Sequence, residues 1–362
     1  MPKTRRDTIC TVTCYKQPDY VRSVTLAEGL KKGGAFRHVI EIRNKSTGFK
    51  RYGEVFVQLL RVRFTQNPGT YLVTFRGYEI LPLVLFVGIG KKVVYDEFIN
   101  PVEWFVYEHQ KFGPKSLVAK LLRATYRFLG KRAAAILADT PSHAVYSANL
   151  MDLPLSKYRA IPVSTDETMF HPEKRKQKSA DRPFQVLCVG NMLPLYGFDY
   201  ILEAAVMLSD RQDIEFLFAG GKKAGADKVA AAVAQGAHIT YREWIPYQEF
   251  PAVFHASDLC LSGPFGKTTQ SQFVITGKTF QFLACGLPVV VGDNKEAYEF
   301  RGKHDALIVP EADADALKRA IEWAAAHPKE LTTIAKNGRK LYEEKFSLDR
   351  VTRDLDRLFM QQ

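Results

Sequence analysis

Gly190 closes the apolar run 184–189, and Gly197 opens the helical pattern that follows. A strand, a glycine turn and a helix start bring backbone N–H groups and the positive end of a helix dipole towards one point. That arrangement suits a diphosphate, although a plain tight turn uses the same residues. Between the glycines stand Asn191 and Tyr196, which can hydrogen-bond a phosphate and carry no charge. Lys278 begins the helical stretch 278–284. A cation at that end of a helix is unfavourable unless an anion is close; the alternative is a solvated surface lysine. Phe265 and Gly266 belong to a Gly-Pro-Phe-Gly segment after the run 259–262. A base or sugar could pack there, or the segment could be an ordinary turn. Asp96 and Glu97 end the run 92–96. A carboxylate at a strand end can orient a hydroxyl or stabilise oxocarbenium-like charge, or it can cap a helix or form an ion pair. His143 reads as a helix-start residue rather than a base, and Glu296 and Glu299 read as surface-helix residues.

These residues need elements to hold them. β-rich runs at 8–13, 37–43, 71–75, 92–96, 134–139 and 158–162 alternate with helical stretches at 19–32 and 115–133. The second half repeats the pattern. Strands are expected at 184–189, 214–219, 238–241, 259–262 and 288–292, and helices at 198–208, 228–234, 248–256, 278–284, 313–326 and 348–359. Gly33-Gly34 reads as a helix stop, as does Gly286. The alternation argues for parallel α/β sheets, two Rossmann-like domains in series. Their ligand crevice is expected at the carboxyl ends of the strands, between the domains. The expected division is a first domain at 1–172, a polar linker at 173–183 and a second domain at 184–345. The C-terminal helix, 346–362, is expected to pack back towards the first domain.

Five segments carry a family resemblance. They are VLCVGNMLPLYGFDYILEAA (186–205), IEFLFAGG (214–221), ITYREWIPYQEFPAVFHASDLCLS (239–262), KTFQFLACGLPVVVGD (278–293) and, in the first half, RAIPVSTDETMFHP (159–172). KKVVYDEF (91–98) and ADTPSHAVYSANL (138–150) agree with them. In order and spacing the chain resembles the family-4-like retaining glycosyltransferases of GT-B fold over roughly residues 85–345. The resemblance implies two Rossmann-like domains facing an interdomain cleft. It also implies transfer of a hexose-type sugar from a nucleotide-diphosphate donor, with retention and with neither a metal nor another cofactor. The donor would meet Gly190, Asn191, Tyr196, Gly197, Phe265, Gly266, Lys278 and Gln281. A glycan or lipid-linked acceptor would meet Tyr15, Arg22, Arg76 and Tyr78. Asp96 and Glu97 would be catalytic.

The chain departs from the family at four places. Asn191 and Tyr196 replace an Arg and a Lys of the glycine loop. Gln281 replaces a Glu that contacts ribose, and Phe273 replaces a second Glu. A non-catalytic GT-B partner of an active transferase is therefore the rival expectation, with an epimerase or phosphorylase on the same fold a weaker third.

The 362 residues carry a net charge of +12. Residues 1–180 hold 30 Lys/Arg against 15 Asp/Glu, and residues 181–362 hold 21 against 24. The whole basic excess lies in the first half, which argues for an anionic partner there. In 115–132, Lys120, Arg123, Arg127 and Lys131 make one cationic stripe beside Leu117, Leu121, Leu122, Phe128 and Leu129. Such a helix can lie on an anionic membrane surface; a core helix with a solvated basic face is the plainer alternative. No RNP-type aromatic strand, zinc pattern or basic heptad region points to nucleic acid. The longest apolar stretch, 80–90, is too short to span a bilayer, and no signal peptide is evident at the N-terminus. Five cysteines without a CxxC pair suggest reduced core thiols. A peripheral protein on the cytoplasmic face of a membrane is the location these features imply.

Overall fold

Short runs that are apolar on both faces, such as Thr70–Val73 and Val289–Gly292, must be covered on both sides, and both lie in parallel sheets. The structure is a computed structural model that describes residues 6–173 and 182–360. The chain runs β1 (Arg6–Thr13), α1 (Val21–Lys32), β2 (Phe36–Arg43), α2 (Lys50–Thr65), β3 (Thr70–Val73), α3 (Leu81–Val87), β4 (Lys92–Asp96), α4 (Leu117–Arg132), β5 (Ala135–Ala138), α5 (Pro141–Met151) and β6 (Tyr158–Ala160). It continues with β7 (Phe184–Val189), α6 (Phe198–Val206), β8 (Ile214–Ala219), α7 (Lys222–Ala234), β9 (Ile239–Arg242), α8 (Phe250–Ala256), β10 (Leu259–Leu261), α9 (Gly277–Ala284), β11 (Val289–Gly292), β12 (Leu307–Val309), α10 (Ala314–Ala326), α11 (Pro328–Lys345) and α12 (Leu348–Met360).

Two compact units result. One holds the residues up to Ser164 together with α12, and the other holds Thr165–Ser347. Residues 165–172 go with the second unit. Phe170 stacks on Phe254 with ring centroids 5.7 Å apart, and the Tyr342 hydroxyl donates to Glu167 at 2.9 Å. Most of the expected linker, 174–181, lies outside the described residues. Each unit contains one six-stranded, fully parallel sheet. The orders are β2-β1-β3-β4-β5-β6 and β12-β11-β10-β7-β8-β9. Both are doubly wound, and in each the chain leaves its first strand in opposite directions. In the first sheet that reversal lies between β1 and β3; in the second it lies between β7 and β10.

The first sheet has a core on each face. Val55, Leu59, Leu81, Val84 and Leu129 of α2, α3 and α4 pack on one side. Leu26 and Leu30 of α1 pack with Val351, Leu355 and Phe359 of α12 on the other. Gly33 does stop α1, though not by a left-handed turn, since its φ is −74°. A Cβ there would lie 2.5 Å from the Asp356 carboxylate of α12. That carboxylate accepts the N–H groups of Gly34 and Ala35 at 2.9–3.0 Å. Glycine is needed for the approach of the second helix. The elements α2, α3, α11 and β12 have no counterpart in the sequence expectations. The five cysteines are free and buried, and burial raises the thiols of Cys10 and Cys285 to about 12.

Replacing Asp356 by Ala leaves two inward N–H groups without their charged acceptor. The expected loss is about 2–4 kcal/mol of local stability, read as faster amide hydrogen exchange in α1 and α12 with α6–α10 unchanged.

Candidate functional site

In the second unit the loops after β7 and β10 flank the point where the sheet order reverses, the usual place for a ligand on such a sheet. Gly190 (φ +137°) turns the chain out of β7. Gly197 (φ +62°) starts α6, and a Cβ on it would lie 2.4 Å from the carbonyl carbon of Phe265. Any side chain there would force the two loops apart. They are joined instead, since Gly266 N–H donates to the Leu195 carbonyl at 2.9 Å. Phe265 itself is buried in the core.

Lys278 stands in the first turn of α9 and reaches back to the glycine loop. Its ammonium donates to the Val189 carbonyl at 3.0 Å and lies 4.1 Å from the centre of the Tyr196 ring. A carbonyl dipole and a π face are weak compensation for a half-buried cation at the positive end of a helix. Burial accordingly pulls its pKa below the ordinary lysine value. A bound anion would reverse that penalty. Gln281 lies one turn along α9, near the Tyr247 hydroxyl, and Asn191 is exposed. Thus Gly190, Tyr196, Gly197, Phe265, Gly266 and Lys278 come together, with Gln281 beside them. Phe273 is buried, with the Lys295 ammonium 4.7 Å from its ring centre. Glu296 is fully buried rather than on the surface, because it follows β11 into the fold, whereas Glu299 pairs with Lys345 at 2.7 Å.

In the first unit the reversal point gathers Tyr15, after β1, and Arg76, after β3. Arg76 has a left-handed backbone (φ +54°), an uncommon state for a non-glycine residue. Its guanidinium lies 5.4 Å from the ring centres of Tyr15 and Tyr78 and 5.5 Å from Trp104. Arg76 lies 3.6 Å from Glu79, and Arg51 shares that carboxylate at 2.8 Å. One acid therefore serves two arginines. Sequence reasoning missed Arg51, Glu79 and Trp104. The helix that carries Arg51 shows no clean apolar period, and Trp104 sits in a wide turn, Glu103–Glu108.

Arg22 is not part of this cluster. It is fully buried and donates to both oxygens of Asp96 at 2.8–3.3 Å and to the carbonyls of Ile161 and Pro162 at 2.6 and 2.9 Å. Asp96 is spent on that pair. Glu97 is also buried and receives the Tyr158 hydroxyl at 3.3 Å; burial raises its pKa to about 7. His143 does start α5, and its ring bridges Asp139 at 2.6 Å and Glu103 at 3.3 Å. Burial alone would lower its pKa, and Asp139 and Glu103 more than reverse this. On α4, Lys120 and Lys131 are exposed. Arg123 instead donates to the Tyr107 hydroxyl at 3.2 Å, and Arg127 pairs with Asp152. Among the described residues no group of His, Cys, Asp and Glu is placed to hold a metal ion.

The glycine loop, the joined β10 turn and the lysine of α9 all lie within one matched region. Residues 183–327 match the model of a family described as glycosyl transferases group 1. This region is a group 1 glycosyltransferase domain. No curated protein sequence matches the chain. Solved structures resemble the chain, glycosyltransferase domain included, over nearly its whole length. HepE of Anabaena, solved in complex with UDP-glucose, is 10% identical with a TM-score of 0.72, covering 98% of this chain and 100% of that one. Sucrose-phosphate synthase of Thermosynechococcus elongatus is 16% identical with a TM-score of 0.73, over 98% and 99%. A glycosyltransferase of Rickettsia africae is 13% identical with a TM-score of 0.68, over 99% and 98%. The fold is GT-B, two Rossmann-like domains.

A carboxyl whose folded pKa exceeds its ordinary value favours the fold while protonated. For Glu97 that contribution is complete below about 4.5 and is lost as pH rises through about 7. The Glu97→Gln protein is therefore expected to be more stable than the parent above pH 7, by a few kcal/mol. The two should converge towards pH 4.5 in urea titrations.

Proposed function

We propose that the chain is a retaining hexosyltransferase that takes its sugar from a nucleotide-diphosphate donor, with UDP as the nucleotide. The observation that carries this reading is Lys278, an under-compensated cation between Gly190, Tyr196 and the start of α9. The diphosphate would sit against the N–H groups of that loop and the Lys278 ammonium. As the glycosidic bond breaks, the negative charge grows on the diphosphate, where Lys278 and the helix dipole are already aimed. The chain thus carries its own leaving-group charge, and the proposed reaction uses no resident metal. Gln281 and the Phe265–Gly266 turn would meet the ribose and base. UDP as nucleotide is supported by HepE, solved with UDP-glucose.

The acceptor is proposed to be a glycan or a lipid-linked saccharide, bound at the Arg76 cluster of the first unit. Tyr15 and Trp104 offer partly exposed ring faces for sugar, and Arg51 and Arg76 offer donors, whereas Tyr78, expected as an acceptor contact, is buried behind them. Asp96 and Glu97 are assigned positioning roles, since both are closed off from solvent and Asp96 is held by Arg22. The proposed location is the cytoplasmic face of an anionic membrane, met by the exposed Lys120 and Lys131 of α4.

A second reading, a GT-B partner without activity, is favoured by Phe273, where an acid would be expected and a lysine lies over the ring. Transfer assays separate the two, because an inactive partner binds donor without turnover.

A saturating UDP-sugar is expected to raise thermal stability, by about 2.7 kcal/mol at 100 times its dissociation constant. The Lys278→Ala protein should bind UDP about 10–100-fold more weakly. No shift with any UDP-, GDP- or ADP-sugar would overturn the enzyme reading. Changing Arg76 to Ala should raise the acceptor KM and leave UDP affinity unchanged, measured by initial rates and calorimetry.

A further inference from the structure

Twelve of the sixteen strongly exposed large apolar side chains among the described residues lie in the first unit, and nine of these lie on or at the ends of α2, α3 and α4. That distribution is not a scatter. The three helices are neighbours in order across one face of the first sheet, since α3 touches both α2 and α4 and all three feed the same core. Their outer faces therefore form one layer.

Each helix contributes an apolar stripe to it. On α2, Phe49, Val57 and Phe64 are 92%, 65% and 82% exposed, at spacings of about two turns that keep them on one side. The inner side of the same helix holds Val55, Leu59 and Val62. The end of α3 adds Phe86 and Ile89, at 68% and 66%. On α4, Leu117, Leu121 and Phe128 point outward, while Ala119 and Leu129 are buried. A helix apolar on both sides has a second apolar neighbour to meet, and an apolar patch of this breadth marks an interaction surface.

The charge on the three helices is basic except for Glu54, and one further acid, the exposed Asp152 after α5, pairs with Arg127 of α4. Lys50, Arg61, Lys120, Lys131 and Arg132 are exposed along its edges. Residues 81–89 and 117–132 contain no acid. The single acid of α2, Glu54, accepts the N–H groups of Lys45 and Ser46 in its own connection. A second copy of this face would set cation against cation across a twofold axis. A sheet of anionic head groups over acyl chains complements both the apolar stripes and their basic edges. No helix of the described residues is long and apolar enough to cross a membrane, so the contact made by these three helices would be lateral.

We infer that the outer face of α2, α3 and α4 is a single docking surface for an anionic lipid bilayer. The inference extends the membrane part of the functional reading from the cations of one helix to the apolar faces of three. It brings α2, whose inner side supplies Arg51 to the Arg76 cluster, onto the bilayer.

The test is co-sedimentation of the full chain with vesicles of phosphatidylcholine alone and of phosphatidylcholine with phosphatidylglycerol. The parent protein should bind the mixed vesicles far more tightly. The Phe64→Ser/Phe86→Ser protein, altered only at exposed positions away from α4, should lose about tenfold or more in vesicle affinity. Its melting temperature and UDP binding should match the parent. Parent-like vesicle binding by that variant, with loss only in Lys120→Ala/Lys131→Ala, would overturn the three-helix surface and leave the α4 reading standing. No vesicle binding by the parent would overturn both. A parent that sediments as a dimer without lipid, and becomes monomeric on the Phe64/Phe86 change, would assign the face to a second copy instead.

Discussion

Arg22 and Asp96 are fully closed off from water, and the rest of the first unit is arranged around that pair. A charge so buried persists only if its partner and its hydrogen bonds are all in place. The pair supplies them by tying three separate parts of the chain. Arg22 comes from α1 on one face of the sheet, Asp96 from the end of β4, and the two remaining acceptors are carbonyls just beyond β6. Removing one partner would leave an uncompensated ion where the strands end. The same ends carry Phe98, which packs on Phe75 and so abuts the loop that sets Arg76. Asp139, His143 and Glu103 repeat the device beside it and hold the turn that presents Trp104. The Arg76 cluster is thus backed by buried ion pairs that tie its loops to the strand ends.

The second unit reaches its site by a different constraint, close approach of backbone. Gly197 lets the β7 loop rest against the β10 loop, and Lys278 crosses from α9 to the carbonyl of Val189. Neither loop needs a buried ion pair, and Lys278 between them is left under-compensated. The two units therefore place their cations differently. The first neutralises an arginine completely at its base and shares a glutamate between two at its rim. The second keeps a lysine waiting beside a glycine turn.

Much of this was legible in the sequence where information is local. Strand runs, the glycines at 190 and 197 and the lysine before Thr279 are all set by neighbours a few residues away. The fold class followed from their alternation. What was hidden is mostly long-range or two-sided. The pairing of Arg22 with Asp96 joins positions 74 apart, so Asp96 read as a candidate catalyst and Arg22 as an acceptor contact. The apolar residues of α2 lie on both faces, which erases the period that announces a helix. The four-cation stripe of α4 was visible. That two of its members are engaged, Arg123 by Tyr107 and Arg127 by the exposed Asp152, depends on elements the helical wheel does not contain. Gly33 read correctly as a stop for the wrong reason, because its true neighbour is more than three hundred residues away.

That distant neighbour bears on how the molecule is made. The face of the first sheet covered by α1 is finished by α12, the last helix of the chain. During synthesis β1–β6 emerge first, yet Leu26 and Leu30 wait for Val351 and Leu355 until the whole second unit has left the ribosome. The second unit, continuous from Thr165 to Ser347, has no such wait. The order of translation and the order of completion are therefore opposite: the unit that begins the chain is the last to close its core, and a chain cut short after Ser347 would carry a finished second unit and an uncovered first one.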